Sequence, residues 1–311
     1  MKIFKRNITL KKIINYFYWK VRYFVQGLLQ FPVNFYFGNS CGLTQNITGI
    51  WDYRRVSKGI CNISNLDINE IHVKGANKLK NEGFLLLGKV KNHNLANIVD
   101  DIRKRFENPQ YFLSSKNLAS KFIVNPLSIP GLRELFTREI QAIVSVYYGQ
   151  KSFRVNTVRL WRNYHVPNAN LNQDDLYSNT FHCDNYKLYG LRIFIILNDG
   201  VRRDTGSFRF HSKPDTKSIF RSFGYFHRFM LSSRMLKMLV NEDTLKYFEG
   251  DAGDIAIVNT QECLHAANIP KFGTYRDIIQ FEVYPDFGDI KSTEDLFMID
   301  QDEHIENLKS A

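Results

Sequence analysis

Four residues in the second half of the sequence have the types and order of a metal and co-substrate site. They are His182 and Asp184, separated by Cys183, followed further along the chain by His265 and Arg276. On a β-strand, residues two apart project from the same face, so His182 and Asp184 can reach one metal while Cys183 points away. Two neutral imidazoles and one carboxylate leave coordination positions open, which suits a non-haem Fe(II) oxygenase. The spacing therefore predicts His182, Asp184 and His265 as catalytic ligands of Fe(II).

A second set of polar residues is expected to hold a co-substrate. Arg276 opens a β-like run, and its planar guanidinium can form paired, charge-assisted hydrogen bonds with the far carboxylate of 2-oxoglutarate. The keto acid end of 2-oxoglutarate would occupy open positions on the metal, with dioxygen as the other small ligand. Arg159, Tyr164 and Asn259 lie near these motifs in sequence, and we expect Arg159 and Asn259 to help bind the co-substrate. A structural role is the alternative for each of these three residues.

These motifs resemble the phytanoyl-CoA dioxygenase family. The matching residues are Phe181–Asn185, Leu197–Asp199, Gly206 and Ser207, Gly253 and Asp254, His265 and Arg276. The likeness covers roughly residues 66–285. One stretch departs from it, because Phe210–Pro214 has His211 and Ser212 in the reverse of the family's usual order. The resemblance implies a double-stranded β-helix and the iron and 2-oxoglutarate roles given above.

The expected reaction is hydroxylation of an unactivated C–H bond in a small molecule. Asp184 favours hydroxylation over halogenation, because a halogenase is expected to leave the carboxylate's coordination position to a halide. The formal charge of +11 and pI near 9.4 favour an acidic substrate or one linked to a lipid or sugar. No zinc-finger spacing or RNA-binding motif accompanies this charge, so no nucleic-acid partner is expected.

Hydrophobic patterning predicts a mainly β domain with flanking helices. Short runs rich in β-branched and aromatic residues alternate with turn signals. The predicted strands are Phe153–Trp161, Phe181–Tyr186, Leu191–Asn198, Ser207–His211, Asp254–Thr260, Leu264–Asn268 and Arg276–Tyr284. Before them come a helix from Asp67 that ends near Gly83, an apolar strand Phe84–Leu87, and helices at about 93–107 and 129–147. This order predicts a cupin-like jelly roll buttressed by N-terminal helices.

The chain is expected to divide into three parts. Residues 1–60 form a basic amphipathic segment and linker, residues 61–290 form the double-stranded β-helix oxygenase domain, and residues 291–311 form a C-terminal tail. Residues 1–31 repeat apolar side chains at helical spacing, and this helix would either contact a membrane surface or dock on the protein's own core. The aromatic-rich stretch Lys217–Val240 is predicted to be helical, either as a lid over the pocket or as a packed element.

Cysteine usage favours a cytoplasmic protein, with membrane-surface association as an open alternative. Cys41, Cys61, Cys183 and Cys263 are widely spaced and include no CxxC pair, which is typical of free thiols in a reducing compartment.

Two other functions fit parts of the pattern. One is a non-catalytic jelly-roll protein that binds a metal or another ligand, against which Arg276 argues. The other is a closed zinc site, in which Cys263 joins His182, Asp184 and His265 in a tetrahedral shell. A closed shell would leave no coordination position for a co-substrate.

Overall fold

The computed structural model describes residues 66–115, 119–150, 152–165, 179–184, 189–223, 242–286 and 294–297. The predicted N-terminal helix, the linker and most of the predicted tail lie outside these residues, so the three domain boundaries stay predictions. The second part of the predicted helix Lys217–Val240 also lies outside them.

The described residues form a mainly β fold, and three of its four described helices precede the long strand β4. The helices are α1 (Glu70–Glu82), α2 (Leu95–Glu107), α3 (Arg138–Tyr147) and α4 (Lys213–Phe223). The strands are β1 (Phe84–Lys89), β2 (Phe112–Ser114), β3 (Ser120–Ile123), β4 (Phe153–Tyr164), β5 (Leu191–Ile196), β6 (Phe208–Phe210), β7 (Lys246–Phe248), β8 (Asp254–Val258), β9 (His265–Ala267) and β10 (Tyr275–Pro285). Short 3-10 helices connect them at Pro109–Tyr111, Pro126–Ser128, Leu132–Leu135, Arg203–Thr205, Glu242–Thr244 and Glu294–Phe297.

Two antiparallel sheets make up the barrel. The large sheet has the order β1-β8-β5-β10-β4-β3-β2, and the small sheet has the order β7-β6-β9. Strands adjacent in the sheets are mostly distant in sequence, as in a jelly roll. The predicted double-stranded β-helix is therefore confirmed.

Side chains on the large sheet alternate between two hydrophobic clusters. Ile278 of β10 belongs to a cluster with Phe194, Phe208 and Phe210, which lies between the two sheets. Its neighbour Ile279 belongs to a larger cluster that also contains residues of α1, α2 and α3. The two-residue period of a strand thus places every second residue of β10 inside the barrel and the others under the helices. This alternation decides which polar residues face the site.

The helices begin and end at local signals. The side chain of Asn69 accepts hydrogen bonds from the first turn of α1, and Gly83 ends α1 in the left-handed conformation. The helix predicted over 129–147 is instead divided into the 3-10 helix Leu132–Leu135 and α3. The break occurs because the Thr137 side chain caps the N-terminus of α3 by accepting from the amide of Ile140.

One predicted strand needs correction, and three short strands were not predicted. The strand predicted over Phe181–Tyr186 is reduced, in its described part, to one bridge between His182 and His265. The short strands β2, β3 and β7 were not predicted, because three or four residues are too few to establish a hydrophobic period. Among the described helices, none has both the length and the apolar character needed to cross a membrane.

Candidate metal centre

Two chain segments bring the predicted ligands together inside the barrel. The backbones of His182 and His265 exchange two hydrogen bonds of 2.9 Å. The amide of Asp184 then donates to the carbonyl of Thr260, 3.0 Å away, in the turn before β9. These contacts pair the H-x-D segment with β9 and the turn before it, and they fix where its side chains point.

The ligand atoms of His182, Asp184 and His265 converge on one point. The Nε2 atoms of both histidines lie 3.7 Å from Oδ1 of Asp184, and the ligand atoms of all three residues lie within 4.8 Å of one another. Among the described residues this is the cluster of acidic, histidine and cysteine side chains compact enough to hold a metal ion.

The hydrogen bonds of the two imidazoles orient Nε2 for a metal. Nδ1 of His182 lies 2.8 Å from the carbonyl of Thr180, and Nδ1 of His265 lies 2.9 Å from the carbonyl of Cys263. A carbonyl oxygen only accepts, so each Nδ1 carries the proton and each Nε2 presents a lone pair. Burial, followed by the neighbouring His182, lowers the pKa of His265 to about 4, which keeps its ring in the neutral form that binds metals.

Asp184 uses its two oxygens differently. Oδ2 accepts a hydrogen bond of 2.6 Å from the hydroxyl of Thr260 and lies 3.5 Å from Nη2 of Arg192, whereas Oδ1 faces the histidines. Burial alone would raise the pKa of Asp184, but His265, Arg192 and Thr260 outweigh it and lower the pKa. Two neutral imidazoles and one carboxylate oxygen therefore form a donor set that fits a divalent transition metal.

Behind Asp184 lies a buried polar network that the sequence did not reveal. Nη2 of Arg192 is 2.7 Å from Oε1 of Glu282, and Nη1 donates to the hydroxyl of Tyr284 at 3.2 Å. The Tyr284 hydroxyl donates to the same Glu282 oxygen at 2.6 Å. Arg192 and Glu282 occupy paired positions of β5 and β10. The available sequence signal was Arg192, a charged residue within the otherwise apolar strand β5.

Arg276 lies at the start of β10, on the same strand face as Ile278 and therefore toward the barrel interior. It is 3% exposed, and its Nη1 donates to the carbonyl of Gly206 at 2.6 Å. Gly206 has a φ of 98°, and a Cβ there would approach Cγ of Pro270 to 2.9 Å. The glycine thus allows the turn to approach the arginine closely. Arg276 is not part of the metal cluster, which is consistent with a separate role.

Arg159 and Tyr164, both on β4, lie on opposite faces of that strand. Arg159 faces the interior in register with Gln280, and its Nη2 lies 4.0 Å from Oε2 of Glu282. Tyr164 belongs to the opposite face of β4, which points away from the interior, and this favours the structural alternative for it.

Asn259 supports a turn rather than an open pocket. Its side-chain amide donates to Glu262 at 2.8 Å and to the hydroxyl of Tyr147 at 3.3 Å, while its Oδ1 accepts from the amide of Gln261 at 3.2 Å. These contacts hold the turn that carries Thr260. They favour the structural alternative over a co-substrate contact.

The cysteines near the motifs lie outside the cluster. Cys183 packs with Phe181 and Phe220 in a separate hydrophobic cluster, as the alternation of a strand predicts. Sγ of Cys263 lies 3.8 Å from the carbonyl of Glu82, at the end of α1. The four-ligand shell that would define a closed zinc site is therefore not formed by the described residues.

No family model matches the chain, and no curated protein matches its sequence. The crystal structure of the epimerase SnoN in complex with Fe3+, alpha ketoglutarate and nogalamycin RO matches with a TM-score of 0.50 at 12% identity, covering 72% of this chain and 87% of that chain.

Two further structures match less closely. EctD from S. alaskensis with 2-oxoglutarate and 5-hydroxyectoine has a TM-score of 0.48 at 11% identity, covering 73% of this chain and 79% of that chain. HygX from Streptomyces hygroscopicus with nickel, 2-oxoglutarate and hygromycin B has a TM-score of 0.42 at 16% identity, covering 70% and 88%. These two add nothing to the fold assignment. The SnoN match shows that the chain shares the fold of that epimerase, which was crystallised with Fe3+ and alpha ketoglutarate.

Proposed function

We propose that this protein is a non-haem Fe(II)/2-oxoglutarate-dependent oxygenase that hydroxylates an unactivated C–H bond of a small acidic, lipid-linked or sugar-linked metabolite. The observation that carries the proposal is the convergence of His182, Asp184 and His265 ligand atoms within 4.8 Å inside a jelly roll. When bound, Fe(II) supplies the coupled oxidation of 2-oxoglutarate and substrate by dioxygen. The membership of the phytanoyl-CoA dioxygenase family stays a prediction.

The protein's own residues hold and orient the reactants. His182 and His265 present Nε2, and Asp184 presents Oδ1, to the metal. Arg276 binds the far carboxylate of 2-oxoglutarate through its guanidinium, which matches a carboxylate in shape and charge. The aromatic rings of Phe194 and Phe208, with centroids 5.0 Å apart, line the barrel interior and limit access of water to it.

Succinate formation is the first test. Anaerobically Fe(II)-loaded protein is mixed with 2-oxoglutarate, oxygen is admitted, and succinate is measured for wild type, His182→Ala and Arg276→Lys. Wild type is expected to form succinate, His182→Ala to form none, and Arg276→Lys to need an at least tenfold higher 2-oxoglutarate concentration, because an ammonium cannot make the paired contact. His93→Ala, at an exposed position, and Arg203→Lys, at a side chain 68% exposed, are the matched controls.

The same experiment separates the proposal from a non-catalytic binding protein. A wild type that binds Fe(II) and 2-oxoglutarate but forms no succinate, even with candidate substrates present, would support the binding protein. A wild type that forms no succinate and does not bind 2-oxoglutarate would contradict the proposed oxygenase. Incorporation of an oxygen atom from dioxygen into the product distinguishes hydroxylation from the epimerisation named for SnoN.

A further inference from the structure

One buried guanidinium lies between two carboxylates, and only one of these belongs to the metal cluster. Arg192 is 3% exposed and is aimed into the barrel from β5. Its Nη2 is 2.7 Å from Glu282 but 3.5 Å from Asp184, so it is placed closer to the carboxylate that does not bind metal.

This unequal sharing matters because a guanidinium and a metal ion compete for the same carboxylate. A buried arginine whose only anionic neighbour was Asp184 would form a full ion pair with it and would also repel a divalent cation. Glu282 compensates the charge of Arg192 in an environment where charges interact strongly. Asp184 then keeps its negative charge for the metal.

We propose that Arg192 and Glu282 form a charge-compensated pair that positions Asp184, with Glu282 holding Arg192 away from full pairing with the metal-binding carboxylate. Arg192 and Thr260 both approach Oδ2, which leaves Oδ1 as the oxygen that would face a bound metal. Tyr284 fixes the pair by contacting both partners. This inference rests on the metal site of the proposed function, and it adds Arg192 and Glu282 as positioning residues.

Arg159 completes the charge arrangement of this face. Its Nη2 lies 4.0 Å from Oε2 of Glu282, on the side away from Arg192. The side chain of Arg159 is 35% exposed, whereas those of Arg192 and Glu282 are 3% and 7% exposed. Solvent screens Arg159 more than the buried pair, so Arg192 is the partner whose charge Glu282 chiefly compensates.

The test is a titration with Co(II) alone, followed by its visible absorption, on the full chain. Glu282→Gln keeps the shape but removes the compensating charge, and Arg192 is then expected to pair with Asp184 and weaken Co(II) binding by about tenfold or more. Adding Arg192→Met to Glu282→Gln removes the competing cation and is expected to recover most of the affinity. A purely structural ion pair predicts no recovery in the double variant.

Glu249→Gln is the matched control, because Glu249 contacts Arg203 at the surface and lies outside the metal cluster. Unchanged affinity in Glu282→Gln, or a double variant as weak as the single one, would overturn the pairing. If Glu282→Gln does not fold, Tyr284→Phe keeps both charges and removes the hydroxyl's hydrogen bonds to Arg192 and Glu282. A several-fold loss of Co(II) affinity supports the pairing, and no loss overturns it. A folded wild type that fails to bind Co(II) would overturn the metal site itself.

Discussion

At the scale of single residues, the candidate centre depends on hydrogen bonds that set which atom of each side chain is available. Backbone carbonyls accept hydrogen bonds from Nδ1 of His182 and of His265. The hydroxyl of Thr260 donates a hydrogen bond to one oxygen of Asp184. Each contact removes one alternative way of binding a metal. The ligand geometry is therefore fixed before the metal arrives.

Removing the Thr260 hydroxyl tests this pre-organisation. Thr260→Val keeps the size and the backbone contact to Asp184 but loses the 2.6 Å hydrogen bond. We expect Fe(II) affinity, measured by anaerobic competition titration, to fall by about tenfold, since residues that orient metal ligands typically contribute that much. Thr274→Val, which loses a hydroxyl contact to the carbonyl of Lys271 in a surface turn, is the control. Equal affinities in the two variants would contradict the role of Thr260.

At the scale of elements, the end of α1 is joined to the segment that leads into the ligand His265. Gly83 closes α1 with a φ of 78°, and its carbonyl accepts from the amide of Asn259 at 2.8 Å. A Cβ at this position would lie 2.5 Å from Sγ of Cys263 and 2.9 Å from Cβ of Lys213. The helix end, the turn before β9 and the start of α4 thus meet where no side chain fits.

Substituting two glycines separates this contact from backbone strain alone. Gly83→Ala is expected to lower the free energy of unfolding by roughly 2–4 kcal/mol, through strain and overpacking together. Gly88→Ala has the same φ of 78° but nothing within 4 Å, so it is expected to cost only about 1 kcal/mol. Urea unfolding followed by circular dichroism measures both. Similar losses of unfolding free energy in the two variants would mean that the neighbours of Gly83 move aside for a methyl group at little cost.

At the scale of the whole molecule, the ligands come from two parts of the chain. Within the described residues, the H-x-D segment pairs with β9 through one bridge and a small hydrophobic cluster, whereas the large sheet and the helices share an extensive one. A bound metal would add a strong link at the weakly paired position. Metal binding is therefore expected to stabilise the fold.

This stabilisation can be measured by thermal unfolding with and without metal. At a metal concentration one hundred times its Kd, the folded state gains about 2.7 kcal/mol, which corresponds to a rise in Tm of roughly 5–10 °C for a domain of this size. His182→Ala is expected to abolish the rise while leaving the Tm of the metal-free protein close to that of wild type. A rise that persists in His182→Ala would place the metal elsewhere.

The sequence by itself determined the strongly patterned elements and the three residues of the candidate metal cluster. The apolar run of β5 and the β-branched and aromatic residues of β10 identified their strands, because such side chains favour a pleated, buried surface. His182, Asp184 and His265 were found from side-chain chemistry and a two-residue period. Local signals of this kind do not depend on which strands become neighbours.

Only the tertiary structure decided the environment of that cluster. Thr260 and Arg192 reach Asp184 from separate segments, and sheet register places Glu282 and Tyr284 of β10 beside Arg192. The same register turned Tyr164 away from the interior, and side-chain capping by Thr137 divided a predicted helix. Such features depend on pairing between distant strands and on individual hydrogen bonds, neither of which leaves a periodic pattern in the sequence.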